Sequence, residues 1–138
     1  MIRQREAVFI DSGAWIALAL TRDPLHAVAR EQWELLQHNG ARLHTSVPVM
    51  IETFTFLDRN ANRDTALAWK LAIDKTRAVV LPCERRDLEQ SWEYFRRRDL
   101  HKLSAVDATS FVIMKRHRIS LAYCFDHHFA VVGFRLVS

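Results

Sequence analysis

Short runs of apolar residues alternate along this chain with longer stretches in which apolar residues recur at helical spacing. The runs predict buried strands at 7–10, 43–46, 78–81, 121–125 and 134–137. The periodic stretches predict helices at 12–20, 24–37, 64–75, 85–98 and 104–117, with a further helix that starts at Pro48. Short strands that alternate with amphipathic helices are typical of an α/β fold, a parallel sheet covered by helices on both faces.

The apolar residues of these helices indicate the faces that we expect to pack inward. In the helix over 24–37, which opens at Pro24 and ends at Asn39-Gly40, the inward residues are Leu25, Val28, Ala29, Trp33 and Leu36. The helix over 64–75 carries Leu67, Leu71 and Ile73, and the helix over 85–98 has Leu88, Trp92 and Phe95 on one stripe. The four tryptophans, Trp15, Trp33, Trp69 and Trp92, are expected in the core or at an interface.

The length of 138 residues is typical of one domain, which we assign to residues 1–138. No apolar run approaches the roughly 20 residues of a membrane helix, and the charged start of the chain differs from a signal peptide. We therefore expect a cytoplasmic protein in which Cys83 and Cys124 are reduced thiols. The net charge of +4, carried mostly by arginine, is compatible with a nucleic-acid partner.

Four acidic residues stand where such a fold would bring them together. Asp11 and Asp126 each follow a predicted strand directly, whereas Glu52 and Asp107 lie near the starts of two predicted helices. Each also has a purely structural interpretation: a cap or turn for Asp11 and Asp126, a salt-bridged side chain for Glu52, and a capping box with Ser104 for Asp107. Because parallel strands end at one edge of the sheet, where ligands bind, the four acids are considered together.

Carboxylates gathered at one edge raise one another's pKa, and a bound cation removes that cost. Hard divalent ions such as Mg²⁺ and Mn²⁺ prefer oxygen ligands and retain several waters. The four acids therefore indicate a metal site that is open to a substrate phosphate and able to activate water.

Four segments in this order and spacing resemble the motifs of the PIN-domain family. They are Phe9-Ile10-Asp11-Ser12, Pro48-Val49-Met50-Ile51-Glu52, the stretch from Leu103 to Phe111, and Phe125-Asp126-His127-His128-Phe129 followed by Gly133-Phe134. The resemblance covers nearly the whole chain and is to VapC-type toxins of VapBC toxin–antitoxin pairs. It implies a three-layer α/β/α sandwich with a central five-stranded parallel sheet.

The same resemblance implies a metal-dependent endoribonuclease. Asp11, Glu52, Asp107 and Asp126 would hold Mg²⁺ or Mn²⁺ and hydrolyse RNA phosphodiesters with metal-activated water, leaving a 5′-phosphate and a 3′-hydroxyl. Asp11 and Asp107 are assigned as direct ligands, Glu52 as a ligand or water-orienting group, and Asp126 as a ligand to a second ion or to water on the ion. Ser12 would add a hydroxyl contact, and a VapB-type antitoxin and a homodimer are the implied partners.

Other polar residues near these motifs are weighed separately. Arg97 and Lys102 belong to basic segments that either contact the RNA backbone or form a solvated helix face. His127 and His128 have no second ligand pair at zinc-like spacing and are interpreted as non-ligands. Cys124 stands where relatives often carry Thr or Ser, and its thiol is a poor donor to phosphate or water.

Several alternative functions stay open at this point. An antitoxin-free PIN nuclease of RNA processing and a non-catalytic RNA-binding module would both use the same fold. A phospho-acceptor signalling domain is disfavoured because Asp11 is followed by Ser12 and Gly13 rather than by a second acid. A haloacid-type phosphatase is disfavoured because Gly13 stands where a second Asp is needed.

Overall fold

A five-stranded sheet forms the centre of the computed structural model, which describes residues 1–138. Its strands are β1 (Ala7–Ile10), β2 (Arg42–Ser46), β3 (Val79–Leu81), β4 (Leu121–Tyr123) and β5 (Arg135–Leu136). Their order across the sheet is β3-β2-β1-β4-β5, and all neighbouring strands are parallel. The prediction of an α/β fold with a five-stranded parallel sheet is confirmed.

Seven α-helices and one 3-10 helix connect the strands. They are α1 (Ser12–Ala19), α2 (His26–His38), α3 (Val47–Asn60), α4 (Arg63–Asp74), α5 (Arg85–Ser91), α6 (Ala105–Arg116), α7 (His128–Val131) and the 3-10 helix Trp92–Arg96. Because parallel crossovers are right-handed, the chain covers one face of the sheet with α1–α4 while it runs from β1 to β3. It then returns past β1 and covers the other face with α5–α7.

The core lies on both sides of the central strand β1 and its neighbour β4. All three residues of β4 and Val8, Phe9 and Ile10 of β1 are buried, as expected for parallel strands covered by helices. Trp15 packs against Trp33 and Trp69, with ring centroids 6.0 and 6.3 Å apart, beneath the helices of the first face. None of the helices combines the length and the apolar character that crossing a membrane requires.

Several predicted helix faces are wrong in part, although Ala29, Leu36 and Ile73 are buried as predicted. In α4 the buried residues are Ala66, Trp69 and Ile73, while Leu67 and Leu71 are exposed. In α2 the helix begins at His26 rather than Pro24, and Leu25 and Val28 are exposed while Ala29 and Leu36 are buried. Each helix carries two possible apolar stripes, and the stripe that packs holds the tryptophan.

The predicted helix over 85–98 is also wrong in part. The α-helix ends at Ser91, and a 3-10 helix follows from Trp92 to Arg96. Trp92 and Phe95 stay on one face, because side chains three residues apart are aligned in a 3-10 helix, and their ring centroids are 6.1 Å apart. Leu88, Trp92 and Phe95 are all exposed, so this stripe does not pack in the core, and for Trp92 the alternative of an interface stays a prediction.

Candidate active site

Two of the four acids follow the neighbouring strands β1 and β4 at the point where the strand order changes direction. The backbone N–H of Asp11 donates to the carbonyl of Tyr123 at 3.0 Å, so strand pairing continues up to the residue that carries the carboxylate. The chain leaves β1 toward β2 and leaves β4 toward β5. Asp11 and Asp126 therefore flank the cleft at which parallel sheets bind ligands.

Glu52 reaches this edge from the second turn of α3. Ser46, the last residue of β2, caps the helix by accepting a hydrogen bond from the Val49 N–H at 3.3 Å, and Pro48 stands in the first turn. The hydroxyl of Ser12, at the start of α1, donates to Oε1 of Glu52 at 2.5 Å. A side chain from one motif thus fixes the carboxylate of another, 40 residues away.

Asp107 comes from the first turn of α6. Ser104 accepts a hydrogen bond from the Asp107 N–H at 3.0 Å, but the reciprocal bond of a capping box is not formed. The Asp107 carboxyl is instead directed to the other acids, and the residue is only 5% exposed. Ser104 is therefore a helix cap, whereas the side chain of Asp107 is not used for capping and lies at the acid cluster.

Burial and mutual repulsion perturb the two most enclosed carboxyls. Burial raises the pKa of Asp11 to about 7, with further contributions from the charges of Glu52 and Asp126, against opposing hydrogen bonds from the backbone near Ser12. Burial likewise raises the pKa of Asp107 to about 9, helped by the charge of Asp11 and by a hydrogen bond with Asp126. The four acids of the sequence prediction thus lie close enough to influence one another.

Asp126 behaves in the opposite way. Burial opposes ionisation, but a hydrogen bond from the His128 N–H at 2.8 Å and the hydrogen bond with Asp107 outweigh it and lower the pKa of Asp126. Asp107 and Asp126 therefore titrate as a pair, in which the hydrogen bonds to Asp126 favour its ionised form and burial favours the protonated form of Asp107.

The donor set fits a hard divalent cation. One carboxylate oxygen of Asp11, Oδ1, is buried and has no hydrogen-bond partner. An unpartnered buried oxygen among other carboxylates is costly, and a cation is the ligand that satisfies it. All four side chains offer oxygen, which suits Mg²⁺ or Mn²⁺ better than zinc.

His128 is a supporting residue whose place was missed by sequence reasoning. It is buried, its Nε2 lies 2.7 Å from the carbonyl of His101, and its Nδ1 approaches Asp126 Oδ1 to 2.7 Å outside hydrogen-bond geometry. It therefore links the loop before α6 to the turn that carries Asp126. The ligand atoms of Asp126, His127 and His128 lie within 4.8 Å of one another, but they are consecutive residues of one turn.

The remaining candidates lie in the segment before α6 and directly after β4. Arg97 and Lys102 are exposed in the segment between the 3-10 helix and α6, and Arg97 is paired with Asp99 at 2.6 Å. Cys124 is buried, and burial together with the Asp11 charge raises the pKa of its thiol. The thiol therefore stays protonated at neutral pH and adds no negative charge to the cluster.

Comparisons with known proteins identify the family. A family model described as PIN domain matches residues 8–135. The chain belongs to the PIN-domain family. Within it, the chain is 36% identical to the 23S rRNA-specific endonuclease VapC20 of Mycobacterium tuberculosis, over 92% of this chain and 95% of that protein.

Solved structures agree with this membership. The crystal structure of M. tuberculosis VapC20, described as a sarcin–ricin loop cleaving toxin, superposes with a TM-score of 0.82 at 33% identity, covering 92% of this chain and 95% of that one. VapBC2 of Rickettsia felis, solved with a promoter DNA fragment, superposes with a TM-score of 0.70 at 12% identity, covering 94% and 96%, and shares the fold. This PIN domain is a VapC-type endoribonuclease toxin, as predicted. PIN domains are typically metal-dependent.

Proposed function

We propose that the four carboxylates hold Mg²⁺ or Mn²⁺ and that the enzyme uses this site to hydrolyse RNA phosphodiester bonds, leaving a 5′-phosphate and a 3′-hydroxyl. The observation that carries the proposal is the buried, unpartnered Oδ1 of Asp11 among three further carboxyls. When bound, the ion would activate water and stabilise the negative charge that develops on the phosphate.

The protein's own residues have distinct parts in this proposal. Asp11 and Asp107 are the direct ligands, because they are the most enclosed acids and their raised pKa values mark the charge that a cation would relieve. Glu52, which accepts the Ser12 hydrogen bond, either joins them or orients the attacking water. Asp126, kept ionised by the His128 N–H, takes a second ion or holds water beside the first.

We propose structured ribosomal RNA as the substrate. VapC20 is described as specific for 23S rRNA and as cleaving the sarcin–ricin loop, and this chain matches almost its full length. Lys102 and Arg97 are exposed in the same segment as His101, whose carbonyl is hydrogen-bonded to His128. They are our candidates for contacts with the RNA backbone. Arg97 would have to exchange Asp99 for a phosphate.

The proposed partners are a VapB-type antitoxin and a second copy of this chain. We also propose that residues 1–138 form one domain. Both partners are supported by the relationship to VapC toxins. The one-domain assignment is supported by a single sheet whose strands span Ala7 to Leu136. Purification from the native host, followed by mass spectrometry and light scattering, tests both partners; a monomer that co-elutes with nothing contradicts them.

Substitution of Asp11 by Asn tests the metal site directly. Loss of supporting residues around metal ligands typically costs 10–100-fold, so loss of a ligand should lower the Mg²⁺-dependent cleavage rate of 23S rRNA by at least about 100-fold. Asp74→Asn, an exposed acid on α4, is the matched control and should cleave at the wild-type rate. Equal rates for Asp11→Asn and wild type contradict the proposal.

A thermal shift provides a readout that is independent of activity. A ligand that binds only the folded state stabilises it, so millimolar Mg²⁺ should raise the Tm of the wild-type protein. The Asp11→Asn/Asp107→Asn variant should show no such rise, whereas Asp74→Asn should behave as wild type. The same rise in the double variant argues against a shared site.

A further inference from the structure

A cleft of about 340 Å³ lies at the amino ends of the strands, at the edge of the sheet opposite the acid cluster. It is formed by the residues that lead into β1, the first residue of β2 and the turn before β4. Its lining residues are Arg3, Gln4, Arg5, Glu6, Ala7, Arg42, Arg118 and Ser120. Four of these eight residues are arginines, and none of them belongs to the four motifs of the active site.

The one acid of the cleft is already neutralised. Oε2 of Glu6 lies 2.6 Å from a guanidinium nitrogen of Arg135 and 3.3 Å from one of Arg3. Burial raises the pKa of Glu6, but the hydrogen bonds from these two arginines outweigh it and lower the pKa to about 2. Arg5, Arg42 and Arg118 have no carboxylate within 4.0 Å. Three guanidinium groups at this cleft are therefore free of ionic partners.

The cleft carries a local excess of positive charge. The arginines at and beside the cleft are Arg3, Arg5, Arg42, Arg118 and Arg135, and Glu6 is their one acid. Five positive charges against one negative charge give this region a net charge of +4. A basic concavity of this kind attracts polyanions.

The backbone holds this cleft in a defined shape. Arg5 and Arg118 both have left-handed backbone conformations, with φ of 56° and 57°, which usually favour Gly or Asn. Arg42 donates from Nε to the carbonyl of Arg5 at 2.9 Å, and the Arg5 N–H donates to Asn39 at 2.8 Å. Arg5 and Arg118 thus lie in turns of defined backbone conformation, and Arg42, the first residue of β2, is hydrogen-bonded to the turn that holds Arg5.

We propose that this arginine cleft is a second binding site for the phosphate backbone of RNA, used by substrates that extend beyond the acid cluster. The inference rests on the proposed function only in taking structured RNA as the substrate. Guanidinium groups form paired hydrogen bonds with phosphate. Strands of four or five residues separate the two edges of the sheet by roughly 15 Å through the protein, and helices cover the faces, so one RNA reaches both sites only along the longer path over the outer surface. A folded RNA presents phosphates along such a path, whereas an oligonucleotide of a few residues bound at the acids does not reach the cleft.

Binding measured in EDTA isolates this cleft from catalysis. The probe is a labelled RNA stem–loop, titrated at several salt concentrations with wild type, Arg5→Ala/Arg118→Ala and the matched control Arg30→Ala/Arg63→Ala. The control removes two exposed arginines, one from α2 and one from α4, that are paired with acidic residues. Each phosphate contact contributes about 0.7–0.9 to the slope of log K against log salt, so the cleft variant should lose about 1.5 of slope and the control almost nothing. Equal slopes for the two variants overturn the proposal.

Cleavage separates this proposal from the proposed function. With Mg²⁺, the cleft variant should lose several-fold in kcat/KM on the stem–loop and keep wild-type kcat/KM on a short single-stranded oligonucleotide. Equal losses of kcat/KM on both substrates overturn the proposal. It is also overturned if an acidic peptide binds the cleft while the cleft variant keeps the wild-type salt slope for RNA binding. Absence of cleavage by the wild-type protein contradicts the proposed function and leaves the binding experiment in EDTA decisive for the cleft.

Discussion

At the scale of single residues, the hydroxyl of Ser12 orients Glu52. Its hydrogen bond to Oε1 spans 2.5 Å and joins the start of α1 to α3. Hydrogen bonds to charged groups contribute about 1.5–3 kcal/mol, and here the bond restricts the rotation of a half-buried carboxylate at the acid cluster. We therefore expect Ser12 to act on the reaction through Glu52.

Replacement of Ser12 by Ala should lower kcat by about 10-fold while KM for RNA and the Tm change little, because one orienting bond is lost and no core packing. Steady-state cleavage of a labelled RNA and thermal melting measure these quantities. Ser12→Thr retains a hydroxyl and should recover most of the rate. A Ser12→Ala enzyme with wild-type kcat, or a Ser12→Thr enzyme as slow as Ser12→Ala, refutes the assigned role.

The same scale shows what a sequence can reveal of the site. Asp11 and Asp126 were found because strand ends are recognisable, and the shared edge of a parallel sheet follows from topology. The link from His128 to the carbonyl of His101 was missed, because it depends on a contact between residues 27 positions apart. The incomplete capping box of Asp107 was equally invisible, since its carboxyl is drawn away by acids from other elements.

At the scale of elements, a buried ion pair fixes α5 on α6. Arg116 donates from Nε and from a terminal guanidinium nitrogen to the two oxygens of Asp87, at 2.9 and 2.7 Å. Asp87 also accepts from the Glu84 N–H at 2.8 Å, which closes the capping box at the start of α5. The Asp87 side chain is 1% exposed, so its charge depends on these partners.

Arg116→Met should therefore destabilise the protein by about 3 kcal/mol at neutral pH, because it leaves a buried carboxylate without its cation. Urea unfolding measures this change. Arg116→Met/Asp87→Leu should recover much of the loss, and Lys70→Met, which removes an exposed pair on α4, should cost less than about 1 kcal/mol. A loss for Arg116→Met as small as for Lys70→Met contradicts the argument.

Element boundaries followed from the sequence better than element orientation did. Strand β1 and helices α3 and α6 were recognised from an apolar run, Pro48 and Ser104 respectively. The buried face of α4 was not, because Leu67 and Leu71 form one stripe and Ala66, Trp69 and Ile73 form another. The choice depends on Trp15 and Trp33, which belong to other helices and complete the aromatic cluster around Trp69. Helix α7, at His128–Val131, is too short for any periodic signal.

At the scale of the whole molecule, the acid cluster opposes folding while it prepares the site for a cation. The raised pKa values of Asp11 and Asp107 mean that the folded, metal-free protein holds protons that the unfolded chain has already lost. Stability must then fall as pH rises from about 4 toward the pKa values of the folded protein. The acid cluster thus lowers the free energy of unfolding relative to a protein with uncharged side chains at these positions.

The pH range between about 7 and 8.5 isolates this effect. The pKa of His44 is lowered from 6.5, so His44 affects the stability only at pH values below about 7. The pKa values of Cys83 and Cys124 are raised, so these thiols affect the stability only near or above the ordinary thiol pKa of about 8.5. Asp107, with a pKa of about 9, is the group of the cluster that keeps most of its proton across that range. One retained proton corresponds to about 1.4 kcal/mol of stability lost per pH unit, so the Tm without metal should decrease over this range.

Bound Mg²⁺ should counteract the decrease of Tm with rising pH. Since the ion replaces the proton on Asp107, the Tm increase produced by Mg²⁺ should be larger at pH of about 8.5 than at about 7. Differential scanning calorimetry at both pH values, with and without Mg²⁺, measures the four transitions. Asp107→Asn has no carboxyl to titrate, so its metal-free Tm should exceed that of wild type and vary less with pH, whereas Asp74→Asn should follow wild type. If Asp107→Asn keeps the wild-type pH slope, the proton lies elsewhere and the electrostatic account of the cluster fails, even if the enzyme still requires a metal ion to cleave RNA.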